Sequence, residues 1–326
     1  VLANIPDAPI WPQLPANGMN EQMEIQYSEG LPDVVIDRER ERMYIDTTDE
    51  NFAGIGAFME EFAMDNVDAF AISPEFSKGI YAMEEALKAS GVVRPYVKVQ
   101  TTGPISFGLT IVDENKRAIY YNDIYKDAVV KGLAMKCRWQ IRKFQPYAEK
   151  VICFIDEPIL SAFGSSTYVS VQRDDVVAVL TEMIEAVHSE GALAGIHCCG
   201  NTEWSILMDA GVDLVNFDAF DFGETIALYP EAVKAHLNAG RALAWGVVPT
   251  NSAKIQTQTV ESLVAQFDKV VDNLAAAGIS KELILDQAMI TPSCGTGSLP
   301  VADAEMVFDL LGKTSNAIRA RMGVLA

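Results

Sequence analysis

Two hydrophobic rhythms alternate along this chain. Short continuous apolar runs fall at Ile10–Leu14, Val97–Thr101, Val151–Ile155, Leu193–Cys198, Leu214–Phe217, Leu243–Val247 and Leu283–Asp286. Between them lie longer stretches whose apolar residues recur at helical spacing, as in "RDDVVAVLTEMIEAVHSEG", where Gly191 supplies a stop signal. Runs that are apolar throughout, rather than at every second residue, predict strands buried on both faces of a parallel sheet. Seven strands alternating with helices predict an α/β fold of the (β/α)8 TIM-barrel type over residues 1–326, taken as one domain. The eighth strand is expected upstream of Val1, because "VLANIPDAP" reads as the tail of a helix following a lost strand. Residues 31–47 break the rhythm. Their two β-rich arms, Val34–Ile36 and Met43–Ile45, flank the charged run Asp37–Arg42 and predict a hairpin insertion.

Further helices are expected at about 51–65, 77–90 and 122–150, with a short one in "GMNEQMEIQYSEG". The barrel reading also says where chemistry should be sought, since parallel barrels collect reactive groups at the C-terminal ends of their strands. Thr101–Thr102, Asp156–Glu157, His197–Cys199, Asp218 and Cys294 all fall there.

Charge narrows the partners. The chain has 25 basic and 45 acidic residues, a formal net charge of −20, which repels nucleic-acid phosphates and anionic lipid. No apolar run reaches transmembrane length and the N-terminus lacks the pattern of a signal peptide. No partner among nucleic acids or membranes is therefore expected, and a cytoplasmic location is. The five cysteines, Cys137, Cys153, Cys198, Cys199 and Cys294, are odd in number and scattered, which is no disulfide framework.

"GIHCCGNTEW" carries the densest chemistry. Residues two apart on a strand share a face, so His197 and Cys199 can address one ligand while Cys198 points away. Imidazole and thiolate suit zinc, although two such residues alone fit a sulfur-rich core strand better. Cys294, in "TPSCGTG", sits between Pro292 and Gly295 on a loop at the same rim, and would make a third ligand. Asp218 is a candidate fourth ligand or else a cap for the next helix. Asp156 and Glu157 point to opposite sides of their strand end. One of them could hold a cationic group such as an amine, or local backbone N–H groups could satisfy it. His188 and His236, near helix ends, read as structural.

Taken together, "IHCCGN", "VNFDAF", "PSCGTG", "KVQTTGP" and "FIDEP" resemble the catalytic barrel of cobalamin-independent methionine synthase, within the superfamily that includes methylcobamide thiol methyltransferases and uroporphyrinogen decarboxylase. The resemblance spans nearly the whole chain. It implies a zinc-dependent S-methyltransferase with His197, Cys199 and Cys294 as Zn2+ ligands, and Asp218 where the methionine synthases place a glutamate ligand. It implies that Asp156 holds the homocysteine amine, with Glu157, Thr102 and Glu24 as further candidate substrate contacts.

Three departures from the pattern refine this. The chain is far shorter than the two-barrel enzymes. Val248, in "WGVVPTN", stands where the family keeps a catalytic histidine, and valine cannot deliver the proton a folate leaving group needs. The first-strand Gly-Ser motif that contacts the amino acid is missing from the sequence. The resemblance is therefore strongest to the short "core" methionine synthases, which take methyl from methylcobalamin or a corrinoid protein and give it to homocysteine. Coenzyme M as the acceptor, or a non-catalytic corrinoid- or tetrapyrrole-binding barrel, are the alternatives. Phe107 and Tyr120–Tyr121 are candidate walls of a corrinoid mouth, or plain core aromatics.

Overall fold

The computed structural model describes residues 1–323. It contains a two-stranded antiparallel hairpin, β1 (Val34–Asp37) and β2 (Arg42–Ile45), and a six-stranded sheet. The sheet strands are β3 (Arg94–Thr102), β4 (Ala148–Asp156), β5 (Leu193–Cys198), β6 (Leu214–Phe217), β7 (Ala242–Val248) and β8 (Ala288–Pro292). They lie in chain order and every pairing is parallel. The result is a curled α/β half-barrel, compatible with a TIM-like fold.

Five of the seven expected strands fall within β3 to β7. The other two need correction. Ile10–Leu14 forms no strand; it contributes one parallel bridge, Ile10 to Lys98, at the free edge of β3. The backbone carbonyls of Asp7 and Pro9 accept from Tyr96 and Lys98 N–H there, both at 2.9 Å. Pro9, Pro12 and Pro15 have no N–H to extend the ladder. Leu283–Asp286 is the end of a short helix, Lys281–Asp286, whose N-cap Ser280 accepts from Leu283 N–H at 3.5 Å. The last strand begins two residues later, where Ile290 and Thr291 supply β-branched side chains.

The helices follow expectation more closely, at Ala53–Ala63, Lys78–Ser90 and Asp123–Phe144. The third stops well short of residue 150. Pro146 cannot continue it, and β4 has begun by Ala148. The opening residues form a hydrogen-bonded turn, Ile5 N–H to Val1 C=O at 2.9 Å.

Strand parity sorts the sheet into two faces. Val97, Val99, Cys153, Ile155, Ile196, Val215, Phe217, Trp245 and Val247 pack outward into the main core beneath the helices. An aromatic chain, Trp204–Phe217–Trp245–Phe267, runs through that core with ring centroids 5.9, 5.3 and 4.9 Å apart, each pair adding roughly 1 kcal/mol beyond area burial. Ile152, Phe154, Leu214 and Ala244 form a separate, smaller cluster on the inner face, with Leu193, Ala242 and Met289 against it. These apolar side chains are the floor of the lumen. Above them, register places Thr102 beside Asp156, Asp156 beside His197, and His197 beside Asn216. Four neighbouring strands thus present one polar row at a single height, near their C-terminal ends.

Candidate metal centre

His197, Cys199 and Cys294 come together. Their Nε2 or Nδ1 and two Sγ atoms lie within 4.8 Å of one another, and no other such group occurs among the described residues. Cys198 points the other way, wholly buried in the outer core.

Cys294 arrives from a distant segment, and backbone geometry brings it. Beyond β8 the loop is tied to β7 by Ser293 N–H donating to Val248 C=O at 2.8 Å, and by Thr250 N–H donating to Ser293 Oγ at 3.2 Å. Gly246 permits the approach. A Cβ there would sit 2.6 Å from Phe217 C=O and 2.8 Å from Ser293 Cα, both closer than real contacts.

The imidazole is held in one orientation. His197 Nδ1 lies 2.7 Å from Asn216 Oδ1. Asn216 Nδ2 donates to Ala244 C=O at 2.8 Å and to Thr291 Oγ1 at 2.9 Å. A backbone carbonyl can only accept, so the amide nitrogen must face Ala244 and the amide oxygen must face His197. Nδ1 therefore carries a proton, and the exchangeable position is Nε2. That atom is buried with no hydrogen-bond partner. An orphaned nitrogen facing two sulfurs is the arrangement of a ligand set, and its partner amide plays the part outer groups play at metal sites.

Electrostatics agree. Burial by itself pulls the His197 imidazole down, yet Cys294 and Asp156 beside it hold it above its ordinary value. The Cys294 thiol holds Cys199 below the usual thiol range, while Cys199 and burial push Cys294 up to about 12. One of the two sulfurs gives up its proton readily and the other resists, because a second negative charge beside the first is penalised. A divalent cation would remove that penalty. Two thiolates and one imidazole are a soft donor set that fits zinc with a fourth position left for an exogenous atom.

The remaining candidates take different places. Asp218 is not in the cluster. Its Oδ1 accepts from Phe220 N–H at 2.9 Å and Asp221 N–H at 2.8 Å, capping the turn beyond β6, and burial raises it to about 6. Glu157 is enclosed. Its Oε1 accepts from Ile105 N–H at 3.0 Å, and its Oε2 from Ser106 N–H at 2.7 Å and Ser106 Oγ at 2.6 Å. It anchors the start of the helix Pro104–Thr110. Burial pushes it up to about 7 in spite of those donors. Asp156 is its opposite, a lumen carboxylate raised by burial and opposed only by the charges of Lys98 and His197, with no hydrogen bond to it. Thr102 Oγ1, in the same row, is buried and unpartnered. Glu24 sits half-buried on the helix Met23–Gln26, in a segment that the sheet register does not connect to the row.

Val248 is fully buried. Phe107 is too, and Tyr120 nearly so, which makes both core aromatics rather than walls of an open mouth. Tyr121 remains at the surface, its hydroxyl 2.8 Å from Ser170 Oγ. His188 pairs with Asp213 at 2.7 Å, and His236 Nε2 donates to Ala242 C=O at 3.0 Å.

Asn216, Thr291 and Lys98 are lumen residues that the motif reading passed over. Strand parity carried the signal. In "LVNFD" and "YVKVQ" the polar residue interrupts an apolar run at an inward position. Neither a protein-family model nor a curated protein sequence matches the chain.

Proposed function

We propose that this protein is a zinc-dependent methyltransferase that moves a methyl group from a methylcorrinoid, free or carried by a corrinoid protein, to the thiol of homocysteine to give methionine. The single observation that carries the proposal is the His197–Cys199–Cys294 cluster, with His197 Nε2 buried, unpartnered and backed by Asn216. The motif resemblance supplies the reaction class. Its fold counterpart is a complete (β/α)8 barrel, in which the edge segment at Ile10 and one further strand would close the six-stranded sheet.

His197, Cys199 and Cys294 would hold the metal. Bound there, zinc would supply Lewis acidity that keeps an acceptor thiol in its thiolate form at neutral pH. The chain's own groups do the rest. Asp156 orients the acceptor through its ammonium, and the apolar floor of Ile152, Phe154 and Leu214 keeps water from beneath it. The Asn216 amide keeps the His197 ring from rotating. In the transfer itself the C–S bond forms as the Co–C bond breaks, and the bonding pair stays on cobalt. The thiol proton is released to solvent. No proton has to reach the leaving group, so Val248 in place of an acid is compatible with this donor.

Cys294→Ser tests the reading. Metal content should fall from about one ion per chain to near zero, and methylcobalamin-dependent methionine formation should fall with it by at least about a thousandfold. Unchanged turnover by a metal-free variant would refute the mechanism. Homocysteine should outcompete coenzyme M as acceptor in the wild type.

A further inference from the structure

The lumen holds two opposite charges that do not neutralise each other. Lys98 is the inward residue of β3 one step below Gln100, and its side chain reaches up the lumen. Its ammonium meets one weak acceptor, Gln100 Oε1 at 3.4 Å, and the face of Phe154, 4.6 Å from the ring centroid. No carboxylate among the described residues lies within ion-pair distance, 4.0 Å, of that nitrogen. Phe154 is the inward residue of β4 next below Asp156, so the ammonium over its ring lies on the same face of the sheet as that carboxylate. An ammonium has three donors, so two of these are left for whatever fills the lumen. Asp156 is the complementary case, a carboxylate with no donor directed at it. Gln100 cannot swing away to serve either, because its Nε2 donates to Trp11 C=O at 3.1 Å.

We infer that Lys98 and Asp156 form a two-point receptor for a zwitterion, Lys98 taking the carboxylate of an α-amino acid and Asp156 its ammonium. This rests on the acceptor-thiol reading above and adds the carboxylate subsite and the charge rule to it. Two separated, opposite, poorly solvated charges are each under-compensated, and one ligand bearing both complements relieves both at once. The sulfur of such a ligand, anchored at its head, extends toward Cys199 and Cys294 at the rim. A sulfonate thiol satisfies Lys98 but brings no cation to Asp156, which selects against it.

Calorimetric binding to the metal-loaded protein separates the parts. Three thiols are compared: homocysteine, 3-aminopropanethiol, which lacks the carboxylate, and 4-mercaptobutanoate, which lacks the amine. Lys98→Met should weaken homocysteine and mercaptobutanoate about tenfold to a hundredfold and leave aminopropanethiol within about twofold. Asp156→Asn should weaken homocysteine and aminopropanethiol and spare mercaptobutanoate. The spared ligand in each variant shows that the fold and the metal centre survive. Equal binding of homocysteine by wild type and Lys98→Met would overturn the carboxylate subsite while leaving the methyltransferase reading intact. Failure of the wild type to bind any of the three would remove that reading, and the receptor with it.

Discussion

Asp156 and Glu157 are adjacent in sequence, and their surroundings are opposite. Glu157 faces the wall of the sheet and has three donors on its two oxygens, all from the first turn of one helix. Asp156 faces the lumen and has none. The same contrast separates two sets of buried polar groups. Behind the sheet the network around Gln140 is closed: Trp11 Nε1–H donates to Gln140 Oε1 at 3.0 Å, and Gln140 Nε2 and Tyr27 OH both donate to Gln100 C=O at 3.0 and 2.8 Å. The lumen row is open at Asp156, Thr102 Oγ1, Lys98 and His197 Nε2. A closed network specifies structure, because each member is satisfied only in the native arrangement. An open one, buried at a real cost, belongs to a site that something else completes.

Substitution at the two carboxylates gives the largest test of that division. Glu157→Ala strands the amides of Ile105 and Ser106 and should cost about 3 kcal/mol of unfolding free energy in urea titration. Asp156→Asn removes a charge that no hydrogen bond or close ion pair satisfies, and its stability should stay within about 0.5 kcal/mol of wild type or rise. Equal losses at both positions would erase the distinction.

Asn216 lies on the boundary, closed on one side and serving the open set on the other. Asn216→Leu should weaken metal affinity about tenfold to a hundredfold in chelator competition. Asn216→Asp keeps an acceptor for Nδ1–H but sets a carboxylate oxygen against Ala244 C=O, so its loss should be smaller than that of the leucine variant. Nitrogen NMR of the metal-free protein should show Nδ1 protonated in the wild type. A ring protonated only at Nε2 would break the chain of reasoning that begins at Ala244 C=O.

The smallest effect belongs outside the lumen. His236 is buried, neutral and donates from Nε2, and burial holds its pKa below the ordinary 6.5. The unfolded chain takes up that proton near pH 6.5 and the folded chain refuses it. Stability from this group is thus present above pH 6.5 and is lost as pH falls from there toward the depressed value, by at most about 1.4 kcal/mol per unit. His236→Gln should flatten the slope between pH 6.5 and 5.5 in urea titrations, and an unchanged slope would mean that His236 does not contribute.

Much of the fold could be read from local pattern, and the errors have local causes. Five strands, the hairpin and the main helices follow from apolar runs and stop signals. Prolines undid the strand at Ile10, and "KELILDQAMI" holds two apolar runs, of which helix capping by Ser280 claimed the first. The half of the site contributed by one strand was equally legible. A period of two puts His197 and Cys199 on one face and Cys198 on the other, whatever the rest of the chain does.

Tertiary structure alone decided which inward residues meet. Cys294 is 95 residues beyond Cys199 by number, and it reaches the cluster because Gly246 and the Ser293 hydrogen bonds fold its loop over β7. Asn216 becomes the partner of His197 only through the parallel register of β5 and β6. Asp218 and Glu157, equally good ligands by residue type, are drawn off by backbone amides that no one-dimensional pattern locates. Sequence periodicity sets the direction in which a side chain leaves its own strand. Its neighbours are set by the register and closure of the sheet, which depend on contacts between segments far apart in the chain.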